Sequence, residues 1–485
     1  MSFSEDLLLW TGGYVLLLLV LGGFGRRALR ERTLTDFYLA NRGIGFFVLL
    51  LTLFATQYSG NSMSGFPGQT YRQGLVYVMT VTFMVGIVSG YLLFAPRLFT
   101  LSRQRGYVTP CDFLTDRYAS PWLHYLAALI FILSLFNFLL AQLMAMGHAF
   151  AGLTEGRIPF ATAVVGGAAV ILVYELLGGM RAVAWTDVLQ GLLLMVGMLV
   201  IALLLVAEVG TPAAVIARIA AQAPEKLEVA SGQVCASWLS NFLLLALGAP
   251  LYPQAIQRVY AARRLGDLKR ALITMAWLPL IAVTTVVFVG AVGILLFPGL
   301  SGVEADQITF RVLRFLVQEQ AHAYYPVLIV MLAVVAAIMS TADSCLLSIS
   351  SILSKDLVAR LRRLPPEEAE RLSWSTPLSS GLVLALLVSL ALLRPATLWG
   401  LLVIKFELLI QLSPAFVLGT LHSPEHPRAF NASDILRGLA VGALLALGLY
   451  ATGHSQVYGF HAGTLGVAAN YLTAAASRSW RCRQL

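Results

Sequence analysis

Ala55-Thr56-Gln57-Tyr58-Ser59-Gly60-Asn61-Ser62-Met63-Ser64-Gly65-Phe66-Pro67-Gly68 interrupts an apolar stretch running from about residue 44 to residue 70. Glycines, a proline and small polar side chains stand where a continuous membrane helix would carry aliphatic residues. Glycine costs about 1 kcal/mol and proline about 3 kcal/mol relative to alanine inside a helix. The stretch is therefore expected to unwind, and its freed carbonyls need a partner that lipid does not offer. A cation is one partner and water another. Close helix packing through small residues would use the same composition.

The flanks explain why a membrane enters the reading. The chain has 485 residues, 58% of them hydrophobic and 12% charged, with a mean hydropathy of +0.80. Soluble domains carry about 25% charged residues; half of that cannot cover a surface facing water. Apolar segments of about 17–25 residues fall near 7–24, 44–70, 75–99, 121–150, 158–178, 184–208, 235–257, 271–297, 325–353, 376–394, 396–421, 435–452 and 459–477, or about thirteen spans. The first lacks a basic leader and a small-residue cleavage site, so it reads as a span and not a signal peptide.

The net charge of +9 does not point to nucleic acid, because the cations cluster beside apolar segments. Arg26, Arg27, Arg30 and Arg32 form one cluster, and Arg258, Arg263, Arg264, Lys269 and Arg270 another. With the N-terminus outside, cytoplasmic loops and tail hold about 25 of the 33 Lys and Arg, and the opposite loops about 7. This bias predicts an odd span count, N-terminus out and C-terminus in. The polar connections at about 209–232 and 298–323 then lie outside. The expected location is a plasma membrane, the inner membrane of a bacterium. The four cysteines are scattered, without metal-ligand spacing.

Polar groups inside hydrocarbon mark function. In Ala336-Ala337-Ile338-Met339-Ser340-Thr341-Ala342-Asp343-Ser344, hydroxyls and a carboxylate sit at midspan. Ala337, Ser340 and Thr341 share a helix face. Carbonyls from a broken helix plus hydroxyls make an oxygen-only set suited to a hard cation. Ser/Thr hydroxyls bonding back to their own helix would account for Ser340 and Thr341, not for Asp343. Gly178-Gly179 predicts a tight reversal, after which Asp187 enters the next span; alternatively Asp187 complements a helix dipole. Lys405 and Glu407 lie in another span on different faces, Glu407 sharing its face with Gln411. Snorkelling would be the bland account of Lys405. No Walker A loop, HExxH or GxSxG is present, so the chain reads as no enzyme.

These residues resemble the sodium:solute symporters, the group containing sodium/proline, pantothenate, monocarboxylate, sialic-acid and sugar symporters. Four ordered stretches carry the likeness. They are the glycine-rich span, Gly178-Gly179…Ala182-Val183…Trp185-Thr186-Asp187…Gln190, Tyr252-Pro253-Gln254-Ala255-Ile256-Gln257-Arg258, and Met339-Ser340-Thr341-Ala342-Asp343-Ser344. The resemblance runs from about Asp36 to about Asn470. It implies an all-α LeuT-type fold of two inverted five-helix repeats, at 44–208 and 235–421. An extra N-terminal helix and loop (7–43) and C-terminal helices and tail (422–485) complete a single transmembrane transporter domain. It implies a sodium ion held by the carbonyls of Ala55, Tyr58 and Ala337 and the hydroxyls of Ser340 and Thr341. A second cation is implied at Asp187, Ser340, Asp343 and Ser344. The solute site falls at Gln57, Asn61, Tyr252, Gln254 and Gln411. Sodium/proline symporters carry an Asp where this chain has Gln57, which weakens a proline assignment.

The expected function is sodium-coupled uptake of a small organic solute such as a monocarboxylate or amino acid. Its partners are the lipid bilayer and that solute, with no nucleic acid and no obligatory protein partner evident. A proton-coupled carrier relaying through Asp343, Asp187 or Glu407 is one alternative. A solute sensor on the same scaffold is another. A channel is disfavoured for want of a repeated filter loop.

Overall fold

The computed structural model describes residues 3–28, 33–365, 368, 375–393, 398–422, 426 and 429–484. The chain is a helical bundle; among the described residues its one strand pair, Gln456–Val457 with Phe460–His461, is a short hairpin ahead of the C-terminal helix Ala462–Gln484. Large apolar side chains such as Leu9, Leu16, Leu203, Leu382 and Leu444 face outward. The hydroxyls, carboxylates and guanidinium described below are buried. This inversion of the soluble pattern is what a bilayer solvent requires.

The expected break is present. One helix, Phe46–Gln57, ends at Tyr58, and after a single wide turn at Asn61–Gly65 the chain resumes as Phe66–Gln73. A second break escaped the sequence reading, which treated 235–257 as one span. Gly232–Gly248 passes through the tight turn Ala249–Leu251, and Pro253–Ala261 starts anew. Pro250 and Pro253, which lack an N–H to donate, account for it. The two broken helices meet at one end: the Ile44 N–H donates to the Ala261 carbonyl at 3.1 Å, and the Arg263 N–H to the Ile44 carbonyl at 2.7 Å.

Between the spans expected at 158–178 and 184–208 the helical run Phe160–Glu208 is continuous except at Gly179, whose φ of 54° and ψ of −146° turn the chain. A Cβ there would meet the Phe37 carbonyl oxygen at 2.5 Å, so both conformation and space require glycine. The buried helix Tyr324–Ser351 packs mainly on this run, and Phe3–Arg27 also packs against it.

Among the described residues, nine helices are long and apolar enough to cross a bilayer. The difference from thirteen has identifiable causes. Phe160–Glu208 spans two expected segments, while Phe46–Gln57 and Leu378–Leu392 are short. Ala462–Gln484, rich in Ala, Ser and Arg, is less apolar. The connections at 209–232 and 298–323, expected as loops, carry the helices Pro212–Gln222 and Ile308–Glu319; the second buries Ile308, Phe310, Val312, Leu313 and Leu316.

Candidate functional site

The gap in the first broken helix faces the serine-rich helix Tyr324–Ser351. Tyr58 is extended (φ −95°, ψ 103°). The Ser62 N–H turns to the Ser59 carbonyl at 2.9 Å, and the Ser59 N–H to the Ser62 hydroxyl at 3.3 Å. In an unbroken helix those amides would serve the carbonyls of Tyr58 and Ala55, so both carbonyls are released. The Ser340 hydroxyl donates to the Ala55 carbonyl at 3.0 Å and to the Ala337 carbonyl at 3.2 Å. The Thr341 hydroxyl donates to the same Ala337 carbonyl at 3.1 Å. Ala55, Ala337, Ser340 and Thr341 thus converge as a buried set of neutral oxygens. A desolvated hard cation fits that donor chemistry, and would replace the hydroxyl hydrogen bonds with ion–oxygen contacts. Gln142, which the sequence did not single out, pins the gap by accepting from the Gly60 N–H at 2.9 Å.

One turn along, the proposed second cation position already holds a cation of the chain's own. Arg258, counted among loop charges in the sequence, is fully buried. Its guanidinium donates to Asp187 Oδ2 at 2.8 Å, to the Ser344 hydroxyl at 2.7 Å and to the Thr52 hydroxyl at 2.7 Å. The Thr52 hydroxyl donates in turn to Asp187. Asp343 accepts from the Tyr174 hydroxyl at 2.6 Å and from the Ser344 hydroxyl at 3.2 Å. The restart of the chain at Pro253 carries Arg258 inward, one turn and a half into its helix, instead of to the loop.

The solute residues divide. Gln57 and Tyr252 line a cleft of about 500 Å³, mouth included, beside the break. Gln57 donates to the Tyr91 hydroxyl at 3.1 Å. The Asn61 side chain lies outside the described residues. Gln254 and Gln411 are not among the residues that line this cleft. Gln254 contacts Cys345 Sγ at 3.7 Å. Gln411 sits in the tight turn Ile410–Leu412 and donates to the Gly463 carbonyl at 2.9 Å, facing the C-terminal helices. Lys405, read only as an intramembrane charge, does line the cleft.

At the end bearing the basic clusters, Lys355 donates to Asp112 Oδ2 at 2.5 Å, and Asp112 caps the helix Pro110–Tyr118 by accepting from the N–H groups of Val108 and Thr109. Burial pushes the Asp112 carboxyl up, but the Lys355 ammonium and the two N–H groups outweigh it and hold the group below its ordinary value. Cys111, His124 and Asp356 also come together here, with potential ligand atoms within 4.8 Å of one another. His124 Nε2 is already 3.2 Å from the Asp356 carbonyl, and Nδ1 is 2.7 Å from the Thr115 hydroxyl and 3.2 Å from Arg360. With both nitrogens engaged and a guanidinium adjacent, the group reads as a hydrogen-bonded clasp.

The model of the sodium:solute symporter family matches residues 37–422. The osmoregulated proline transporter OpuE of Bacillus subtilis is 27% identical over 403 residues, covering 81% of this chain and 78% of the relative. The sodium/pantothenate symporter of Escherichia coli is 27% identical over 454 residues, covering 92% and 91%. Among solved structures, a Na+-coupled sialic acid symporter in a substrate-bound outward-open state superposes with a TM-score of 0.78 at 19% identity, over 99% of this chain and 98% of that one. Mhp1, a nucleobase-cation-symport-1 family transporter, gives 0.58 at 14% identity, over 93% and 95%.

Proposed function

The chain belongs to the sodium:solute symporter family, and from that premise we propose that it takes up a small organic solute together with a sodium ion bound at Ala55, Tyr58, Ala337, Ser340 and Thr341. It is a multi-pass integral membrane transporter and no enzyme. The observation carrying the sodium assignment is the Ser340 hydroxyl on the released Ala55 carbonyl: a hydroxyl from one helix meets a carbonyl freed by the other helix's break.

The proposal includes two repeats at 44–208 and 235–421, about thirteen spans, N-terminus out and C-terminus in. That each repeat opens on a broken helix, and that the two meet at Ile44 and Ala261, supports the division. Sodium tethers Phe46–Gln57 to Tyr324–Ser351 in the outward-facing state, which orders the break and completes the cleft beside it. Release inward follows when the helices part. A ligand shifts such an equilibrium only by its differential affinity for the two states, and the membrane potential adds about 2.3 kcal/mol per charge per 100 mV. The chain's own cation at Arg258 favours one sodium site over two.

The test is ion-selective stabilisation and uptake. Sodium, but not potassium or choline, raises the melting temperature of the purified protein and drives uptake of a radiolabelled solute found by screening into proteoliposomes. Each of Ser340→Ala and Thr341→Ala removes one oxygen worth about 1.5–3 kcal/mol on a charged partner, so apparent sodium affinity falls about tenfold to a hundredfold. Unchanged sodium affinity in both variants overturns the assignment. Uptake that persists without sodium and is abolished by Asp343→Asn would establish proton coupling instead.

A further inference from the structure

Lys405 is the most unusual charge in the molecule. Its side chain is 1% exposed, in the helix Leu398–Leu409, and makes no hydrogen bond or ion pair among the described residues. Another buried cation, Arg258, spends its donors on Asp187, Thr52, Ser344 and the Gln254 carbonyl. Lys405 instead lies among rings: its Nζ is 2.9 Å from the Phe138 centroid and 5.0 Å from those of Tyr252 and Phe406, with the neutral Cys345 thiol also near. Aromatic faces attract a cation and offset part of its desolvation. They do not replace the hydrogen bonds an ammonium makes in water.

The cleft that Lys405 lines has no counter-charge. Among the described residues no Asp or Glu borders it. Its polar lining is neutral, and two of its hydroxyls, Tyr58 Oη and Thr80 Oγ1, are buried without a partner. The lining also includes the apolar side chains of Phe66, Phe83, Met84 and Ile87. One unpaired ammonium, two idle hydroxyls and a hydrocarbon wall are complementary to a carboxylate with an apolar body.

We propose that Lys405 anchors the negative charge of the transported solute, and that the solute is a small monocarboxylate instead of a zwitterion or a neutral molecule. This rests on the transport reading above and sharpens its substrate class. A carboxylate completes the donors of Lys405 and takes hydrogen bonds from Tyr58 and Thr80. The ammonium of an amino acid would find no carboxylate in the cleft and would be repelled by Lys405. Tyr58 links the two sites, since its carbonyl belongs to the sodium set and its side chain to the cleft.

The experiment uses the full-length purified protein in detergent, with thermal stabilisation read first for sodium alone and then for sodium with each probe. The probes are hexanoate, benzoate and phenylacetate, their primary amides, and norleucine and phenylglycine. The expected result is further stabilisation by at least one carboxylate, with its amide and the amino acids at least about tenfold weaker. In Lys405→Gln the carboxylate response falls about tenfold or more and loses its preference over the amide; Lys405→Arg keeps the preference. Amides or amino acids binding as well as carboxylates, no response to any of the carboxylates, or full carboxylate affinity in Lys405→Gln each overturn the proposal. Should Lys405→Gln fail to fold, the acid-against-amide comparison on the unmodified protein decides alone. The sodium-only shift reports the cation site separately: its absence defeats the symport reading, while its presence with no carboxylate preference defeats only this one.

Discussion

Asp187 shows how far a single residue can be read without coordinates. A carboxylate just inside a span signals either a partner or a helix dipole, and sequence spacing does not say which; sodium and arginine satisfy the same oxygens. The partner is Arg258, 71 positions away in the chain and fully buried with it. Removing one member of such a pair strands the other charge in a medium that cannot solvate it, at about 3–5 kcal/mol. Arg258→Met is therefore expected to lower the melting temperature sharply. Adding Asp187→Asn, which removes the stranded charge, should recover most of the loss. Equal destabilisation in the single and double variants would show that the packing of Arg258, and not its charge, holds the site. The convergence of oxygens proposed for sodium was legible for a different reason: Ser340 and Thr341 stand on one helix face with Ala337, so local periodicity suffices to align them. Lys405 was legible only as a charge in lipid. Its role depends on three rings from three separate segments, which no local pattern displays.

Among the helices, the break at Ser59 was readable because it is written in residue types: glycine and proline act on the backbone whatever surrounds them. The break at Tyr252 carries the same kind of signal in Pro250 and Pro253 but is shorter, and strongly apolar neighbours mask it. Gln254 and Gln411 lie off the cleft because direction, unlike position, is set by those turns: a helix that restarts at Pro253 points its side chains by the new phase. The element as a whole makes a prediction. A Cβ at Gly60 would lie 2.7 Å from Ala145 Cβ and 2.8 Å from Ile338 Cγ1, so Gly60→Ala must push the break away from the serine-rich helix. The expected consequence is a loss of sodium affinity of about tenfold or more. Secondary structure should be unchanged, as read by circular dichroism beside sodium-dependent stabilisation. Sodium affinity equal to that of the unsubstituted protein would mean that the two helices are not held at the separation the ion needs.

Over the whole molecule, the cleft is closed unevenly, and that asymmetry can be tested. With the N-terminus outside as proposed, the outer end of the cleft is the one that shares Thr80 and Phe83 with a vestibule lined by Trp238 and Asn241, beside a brace of Arg72 on Asp306 at 3.0 Å. Toward the opposite, inner end a larger pocket lined by Tyr107, Asp112, Lys355 and Asp356 is present, but among the described residues the cleft shares no lining residue with it. Arg103 donates to the carbonyls of Ala262, at 2.5 Å, and Arg263, at 2.9 Å, and Lys355 holds Asp112. The arrangement favours an outward-facing cycle stage, which sodium should populate further. The Lys355–Asp112 pair is partly exposed, so it is worth about 1 kcal/mol at most, or a factor of about five in the balance between inner-closed and inner-open states. Because the Asp112 carboxyl titrates below its ordinary value, the pair contributes fully above about pH 4 and is lost only as pH falls through the lowered value. Between about pH 5 and about pH 8 acidity therefore should not open this end, whereas Lys355→Gln should. Cys111, fully buried behind the latch, is the reporter. In a variant keeping Cys111 as the single cysteine, Lys355→Gln is expected to raise its labelling rate by a membrane-permeant maleimide about fivefold, and sodium is expected to suppress that rise. Labelling indifferent to both would mean that the inner end is sealed by the Arg103 contacts alone, with Lys355 serving only the helix cap it touches.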